Sequence, residues 1–238
     1  MTEDTVRLAK RVAESFHCSR AEATHYIEGG WVEVDGDIVE EPGFRVASQA
    51  QIALLPGAVA TPMQASTFLL HKPAGMAAED AVQLLVADNR SEDDRSNMRL
   101  LKRHLAGLSV PAPLEAEESG LQVFTQDWRV IRKLTEDALR IEHEILVDVT
   151  GDLLPDGLAL LNRSLSFQGK ILPPMKVSWQ SETRLRFAVK APPPGLIAHA
   201  CAQVGLTPLA IRRIRLGRLP MAGLKAGQWR YVQDHERF

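Results

Sequence analysis

Cysteine, charge of one sign and long apolar runs are all scarce in this chain of 238 residues, and each scarcity excludes a class of protein. There are two cysteines, Cys18 and Cys201, with no pairing pattern or metal spacing, so reduced thiols in a cytoplasmic protein are expected. The seven histidines are scattered without a His-x-x-x-His pair, and no metal site is expected. No glycine loop of the phosphate-cradling kind and no Ser-His-Asp signature occurs. Nothing approaches the roughly 20 apolar residues that span a bilayer. The start, Met1-Thr2-Glu3-Asp4, is acidic with no apolar run behind it, so neither membrane association nor a secretory leader is expected. The net charge of −2 does not advertise nucleic acid, yet it is unevenly spread. Residues 1–58 hold five Lys/Arg against ten Asp/Glu, while the remainder holds 23 against 20. An RNA footprint would therefore be a local patch on a near-neutral surface.

What is present allows one substantial core and a small second module. Over 4–16, Val6, Leu8, Ala9, Val12 and Ala13 fall at helical spacing, with Arg7, Lys10 and Arg11 together on the other side. Ser19-Arg20-Ala21-Glu22 is a capping box that opens a second helix over 21–28, stopped by Gly29-Gly30. Trp31-Val32-Glu33-Val34 alternates, Asp35-Gly36 is a hairpin turn, Ile38-Val39 begins the return strand and 51–55 closes a small sheet. Residues 1–58 thus read as a compact module and 59–66, with Pro62, as a linker. A larger domain follows over 67–238.

That domain opens with a buried strand at Phe68-Leu69-Leu70 and a turn at Lys72-Pro73-Ala74-Gly75. A helix is expected over 98–105, with Arg99, Lys102, Arg103 and His104 as a basic cluster. Next comes Pro113-Leu114-Glu115-Ala116-Glu117-Glu118-Ser119-Gly120, a carboxylate loop ending in glycine. It leads into a strand that alternates apolar and polar residues from Leu121 to Thr125. An amphipathic helix is read over 127–139 and a long strand over 141–149. A helix over 155–162, strands around 164–167, 176–179 and 184–189, a helix over 195–204 and a strand over 211–216 complete the pattern. The fold class is α+β, a small helical module with a larger, mainly antiparallel sheet domain.

Two resemblances follow from these residues. The first module, through Leu8, Lys10, Cys18-Ser19-Arg20, Glu22-Ala23, Tyr26-Ile27, Gly30, Val32, Val34 and Gly36, resembles the S-four-like αL RNA-binding module. The larger domain resembles the bacterial ribosomal-RNA pseudouridine synthases of the small-subunit type. The matching stretches are Lys72-Pro73-Ala74-Gly75, Gly120-Leu121, the strand at 141–149, Ile211–Leu216 and Gly227-Gln228-Trp229-Arg230. The family breaks the ribose–uracil bond and rejoins the base through carbon without metal or cofactor. The resemblance implies a catalytic aspartate held by an arginine, a tyrosine at the base, and a target uridine flipped into a pocket. Counting from Gly120-Leu121, the aspartate falls on Glu115 and the arginine before it on Pro113. The tyrosine falls on Ile145, and a further arginine falls on Gly195.

Glu115 keeps a carboxylate but moves it one methylene outward, and a shift of about 1 Å costs on the order of a hundredfold in rate. Ile145 packs against a base but neither donates nor accepts a proton. Gly195 removes a guanidinium. The expectation is a degenerate member of the family that binds structured, ribosomal RNA as a monomer. Its phosphate contacts would come from Arg7, Lys10, Arg11, Ser19, Arg20, Lys72, Arg212, Arg213 and Arg215. For these residues a solvated helix face or acid-paired sheet edge is the competing reading, and Glu115 is equally readable as one acid of a solvated loop with Glu117 and Glu118. Two other functions stay open: a working isomerase that uses Glu115, or an interaction factor whose acidic module binds a basic partner such as a ribosomal protein.

Overall fold

In the computed structural model, which describes residues 5–238, the chain divides into two compact units. One takes the residues up to Ala65 together with Met98–Gly107, and the other takes Ser66–Asn97 and Leu108–Phe238.

In the first unit, β1 (Thr5–Arg7) leads into α1 (Leu8–Ser15) and α2 (Arg20–Glu28). Four short strands follow: β2 (Val32–Val34), β3 (Asp37–Ile38), β4 (Arg45–Ala47) and β5 (Ile52–Leu54). The helical period read over 4–16 starts only at Leu8. Thr5–Arg7 is extended because it pairs with Arg45–Ala47, a partner too distant in sequence for local periodicity to register. The capping box forms in full. Ser19 Oγ accepts from the Glu22 amide at 3.2 Å, and Glu22 Oε2 accepts from the Ser19 amide at 2.8 Å. The two helices and the β3-β2-β5 sheet enclose Leu8, Val12, Ala23, Ile27, Val32 and Val34.

Residues 98–107 complete this unit. Their helix, α3, is a single turn (Lys102–Leu105) rather than the two expected. Arg99 reaches Glu40 at 3.5 Å and donates to the Gly30 carbonyl at 3.3 Å. Arg103 meets Glu28 at 3.9 Å, and the Lys102 amide donates to Glu40 Oε2 at 2.6 Å. Of the basic cluster, Arg99 and Arg103 are engaged by the module's own acids.

The second unit is built on an eight-stranded sheet. Its strands are β6 (Thr67–Lys72), β7 (Ser119–Thr125), β8 (Glu142–Gly151), β11 (Lys176–Ser181), β12 (Arg184–Lys190), β13 (Leu206–Leu216), β14 (Leu219–Pro220) and β15 (Trp229–Tyr231). A hairpin of β9 (Ser166–Phe167) and β10 (Lys170–Ile171) stands apart. The main path runs β11-β12-β8-β13-β7-β6-β15, antiparallel except where β13 pairs with β7. Helices α4 (Trp128–Thr135), α5 (Gly157–Leu161) and α6 (Leu196–Gln203) accompany it. Asp127 caps α4 by accepting from the Arg129 amide at 2.8 Å. The helix ends at Thr135, short of the expected 139, and a 3-10 turn follows at Ala138–Arg140.

The alternation read from Leu121 to Thr125 does not produce a solvent face. β7 lies inside the sheet, and every one of those side chains is buried. Gln122 is accommodated because its Oε1 accepts the Leu114 amide at 2.9 Å, which satisfies a buried polar group and fixes the loop ahead of it. Gly120 is required for a different reason. A Cβ there would lie 2.2 Å from the Arg213 carbonyl oxygen, and its φ is +108°, so β13 can pass this close only to a glycine.

Candidate functional site

The carboxylate loop forms one wall of a pocket of about 210 Å³, somewhat below the roughly 300–1,000 Å³ of drug-sized sites. Apolar walls come from Leu134, Ile145, Leu196 and the prolines at 192–194; the charged groups are Glu115, Glu118 and Arg213. Glu115 is exposed at this pocket. Its neighbour Glu118 is only half-exposed, and its Oε2 accepts the Glu115 amide at 3.2 Å. Burial pushes the Glu118 carboxyl above its ordinary range, with the Glu115 charge adding to the rise. The hydrogen bond from the Glu115 backbone, Arg213 and Lys72 restrain it. Sequence reasoning named Glu115 and passed over Glu118 because an acidic run looks like a solvated loop. Only its position one residue before Ser119-Gly120 hinted otherwise.

Arg213 is the cation of the site. It is 3 % exposed, and it donates from Nε to the Leu121 carbonyl at 2.8 Å and from Nη2 to the Ala112 carbonyl at 2.9 Å. Burial lowers its guanidinium to about 10, with Glu118 opposing the shift, so it stays charged at neutral pH. The expectation is of a phosphate contact in the cleft; Arg213 does line the pocket, buried, with Nε and Nη2 held by carbonyls. His143 stands on the same pocket wall, 6 % exposed, and its Nδ1 has no partner. Burial and the Arg213 charge push its pKa down to about 3, so the ring is neutral.

Lys72, expected as a phosphate contact, lies inside the fold. It is fully buried, and its Nζ donates to the carbonyls of Pro73 (3.0 Å), Met76 (2.6 Å) and Ala116 (3.1 Å). The Gly75 amide adds a bond to the Ala116 carbonyl at 2.8 Å. Three acceptors are what a buried ammonium requires. The lysine therefore braces the carboxylate loop from beneath and offers nothing to a phosphate.

Ile145 fills the tyrosine position and is buried against the pocket. Gly195 precedes α6 with φ +78° and lines the same pocket, so it contributes backbone and no charge. Pro113 is exposed at the pocket, and Ala112 before it holds φ +52° while its carbonyl serves Arg213. A left-handed alanine costs on the order of 1 kcal/mol, and the Arg213 bond offsets part of it.

Alternation along β13 sends Arg212 to the opposite face from Arg213, which sits beside Ile145. Arg215 would rejoin Arg213 two residues on, but the register shifts between Arg213 and Arg215, and Arg215 pairs with Glu144 instead. It meets Glu144 at 2.7 Å and Glu142 at 2.6 Å. Arg215 is thus acid-paired, as the competing reading had it, and neither arginine lines the pocket. In the first unit, Arg7, Lys10, Ser19 and Arg20 are exposed. Lys10 has a loose contact with Glu14 at 3.8 Å, and Arg11 is half-buried and donates to the Ser48 carbonyl at 3.0 Å. Ser19 has both its amide and hydroxyl engaged by Glu22. That glutamate already supplies the negative charge a phosphate would bring to the start of α2. Among the described residues no three acids or histidines gather as a metal site, and no helix is long and apolar enough to cross a membrane.

A mainly antiparallel sheet of this order with a small helical module before it defines the fold class, that of pseudouridylate synthase. Residues 6–52 match the S4 domain family. Along 97% of its length the chain is 23% identical to an uncharacterized RNA pseudouridine synthase of Aquifex aeolicus, covering 94% of that protein. It is 22% identical to the dual-specificity RNA pseudouridine synthase RluF of Escherichia coli K12, covering 99% of this chain and 78% of the relative. It is 21% identical to ribosomal small subunit pseudouridine synthase A of Vibrio cholerae, covering 97% of each. A crystal structure of pseudouridylate synthase superposes with a TM-score of 0.60 at 18% identity, covering 96% of both chains. The chain thus carries a match to the S4 domain over 6–52 and is similar along nearly its whole length to RNA pseudouridine synthases.

Proposed function

We propose that this protein binds structured ribosomal RNA in the cytoplasm on a pseudouridine synthase scaffold and no longer isomerises uridine at a useful rate. The observation that carries this reading is the state of the pocket. The brace beneath the loop is intact, with Lys72 holding three carbonyls, while the groups facing the interior are altered. At the tyrosine position, Ile145 has no proton to give. Glu115 is exposed rather than held by a cation, and the electrostatic positioning that accounts for most of such catalysis is missing.

RNA contact on this reading comes from exposed Arg7, Lys10 and Arg20 of the first unit and from Arg212, with phosphates as the ligands. Ribosomal RNA is favoured because the Vibrio cholerae relative is named for the ribosomal small subunit. A surviving isomerase keeps one supporting observation, the carboxylate of Glu115 on the pocket wall.

The test has two arms. Retention of ribosomal RNA on the protein should fall steeply as salt rises from 50 to 200 mM; no retention at any salt contradicts the binding half. The triple replacement Glu115→Asp, Ile145→Tyr and Gly195→Arg should release tritium from RNA labelled at uridine C5 faster than the natural protein does. An unchanged or slower rate argues against degeneration. The arginine at 195 inherits a left-handed backbone, so some stability is lost in that variant.

A further inference from the structure

The pocket keeps a constellation of charges that suits one base better than the others. Arg213 uses Nε and Nη2 on carbonyls, and its Nη1 makes no hydrogen bond among the described residues. Glu118 uses Oε2 on the Glu115 amide, and its Oε1 likewise has no partner. Beside them stands His143, 6 % exposed with Nδ1 unpaired, and the walls around them are apolar. The site therefore offers one guanidinium edge and one carboxylate edge between apolar side chains.

The base edges differ in how they meet that pair. Guanine presents an acceptor, O6, followed by two donors, N1–H and N2–H. A guanidinium takes the first, and a carboxylate takes the other two, one on the free Oε1 and one on the second lone pair of Oε2 beside the Glu115 amide. Uracil presents O4, N3–H and O2, so its last group turns lone pairs toward the carboxylate. Adenine and cytosine lead with an amino group where the guanidinium stands. We propose that the pocket of Glu118 and Arg213 receives an unstacked guanine from the bound RNA and rejects uracil. This deepens the RNA-binding reading above and rests on it. It also gives Ile145 a use, as an apolar surface for the base face.

The test uses the full chain and a stem–loop RNA with one unpaired loop nucleotide set to G, U, C or A, with affinity read by fluorescence anisotropy at fixed salt. The G loop is expected to bind about tenfold more tightly than the U loop, as one bidentate base contact provides. In Glu118→Gln the side-chain amide donates where the carboxylate accepted, so the order should reverse in favour of U. Equal, salt-dependent binding of all four loops would overturn the guanine assignment and leave the RNA-binding reading standing. Preference for U in the natural protein, or a preference for G unaffected by Glu118→Gln, would also overturn it. No binding by any loop would overturn both.

Discussion

The turn at Lys72 and the pocket above it are joined through the Ala116 carbonyl, yet they are built for opposite ends. Below, a lysine is buried completely and every donor it directs inward finds a carbonyl. Above, Glu115 is exposed, Glu118 has a free oxygen, and His143 carries an unpaired nitrogen. Buried polar groups in a finished structural network are satisfied, so the contrast separates a closed structural network from a pocket wall with polar atoms left open. It is also consistent with the proposal that the likeness in sequence outlasts the chemistry. Lys72 and Gly120 are fixed by packing, whereas Glu115, Ile145 and Gly195 line the pocket.

The sharpest way to break the comparison is to remove the brace. Lys72→Met takes the ammonium from the carbonyls of Pro73 and Met76 and leaves that of Ala116 to the Gly75 amide alone; it should cost about 3 kcal/mol, read as a lower denaturant midpoint of the second unit. A loss below about 1 kcal/mol would mean the lysine is not structural. Acid should find the weak point of the upper part. His143 is held near 3 when folded and titrates near 6.5 when unfolded. The unfolded chain therefore gains the proton first, so stability is complete above pH 6.5 and is lost as pH falls toward 3. Between pH 6.5 and 5 this amounts to about 2 kcal/mol, and His71 and His104, also lowered by burial, add to it. His143→Leu should flatten that part of a stability profile. A profile identical to that of the natural protein would contradict the assignment.

The first unit supplies smaller effects. Ser19→Ala removes one half of the capping box and should cost about 1 kcal/mol, seen as faster amide exchange at the start of α2 with the second unit unchanged. Arg99→Ala breaks a half-exposed pair with Glu40 and should cost about 0.5 kcal/mol, close to the limit of a denaturation curve. An effect as large as that of Lys72→Met would show that the returning segment 98–107 is essential to the module.

Much of this was legible in the residues. The capping box at Ser19, the hairpin at Asp35-Gly36 and the strand at 141–149 are local patterns, and the structure reproduces them because local chemistry decides them. What failed depended on distant partners. Thr5–Arg7 became a strand through Arg45–Ala47, and α3 shortened while the segment around it joined the first unit. The burial of Lys72 and Arg213 was not legible, because burial is a property of the folded chain and a cation has the same letter inside as outside. Arg215 changed faces through a register shift that no two-residue alternation anticipates. Glu118 was hidden by its company, since three acids in four residues look like solvent.

One measurement addresses the central claim directly. Mixing the natural protein in stoichiometric amount with ribosomal RNA tritiated at uridine C5, under salt where retention is complete, counts every base the pocket rearranges. The account predicts that tritium release stays at the level of a protein-free blank for hours. Release approaching one equivalent per protein within minutes would show that Glu115 still performs the isomerisation.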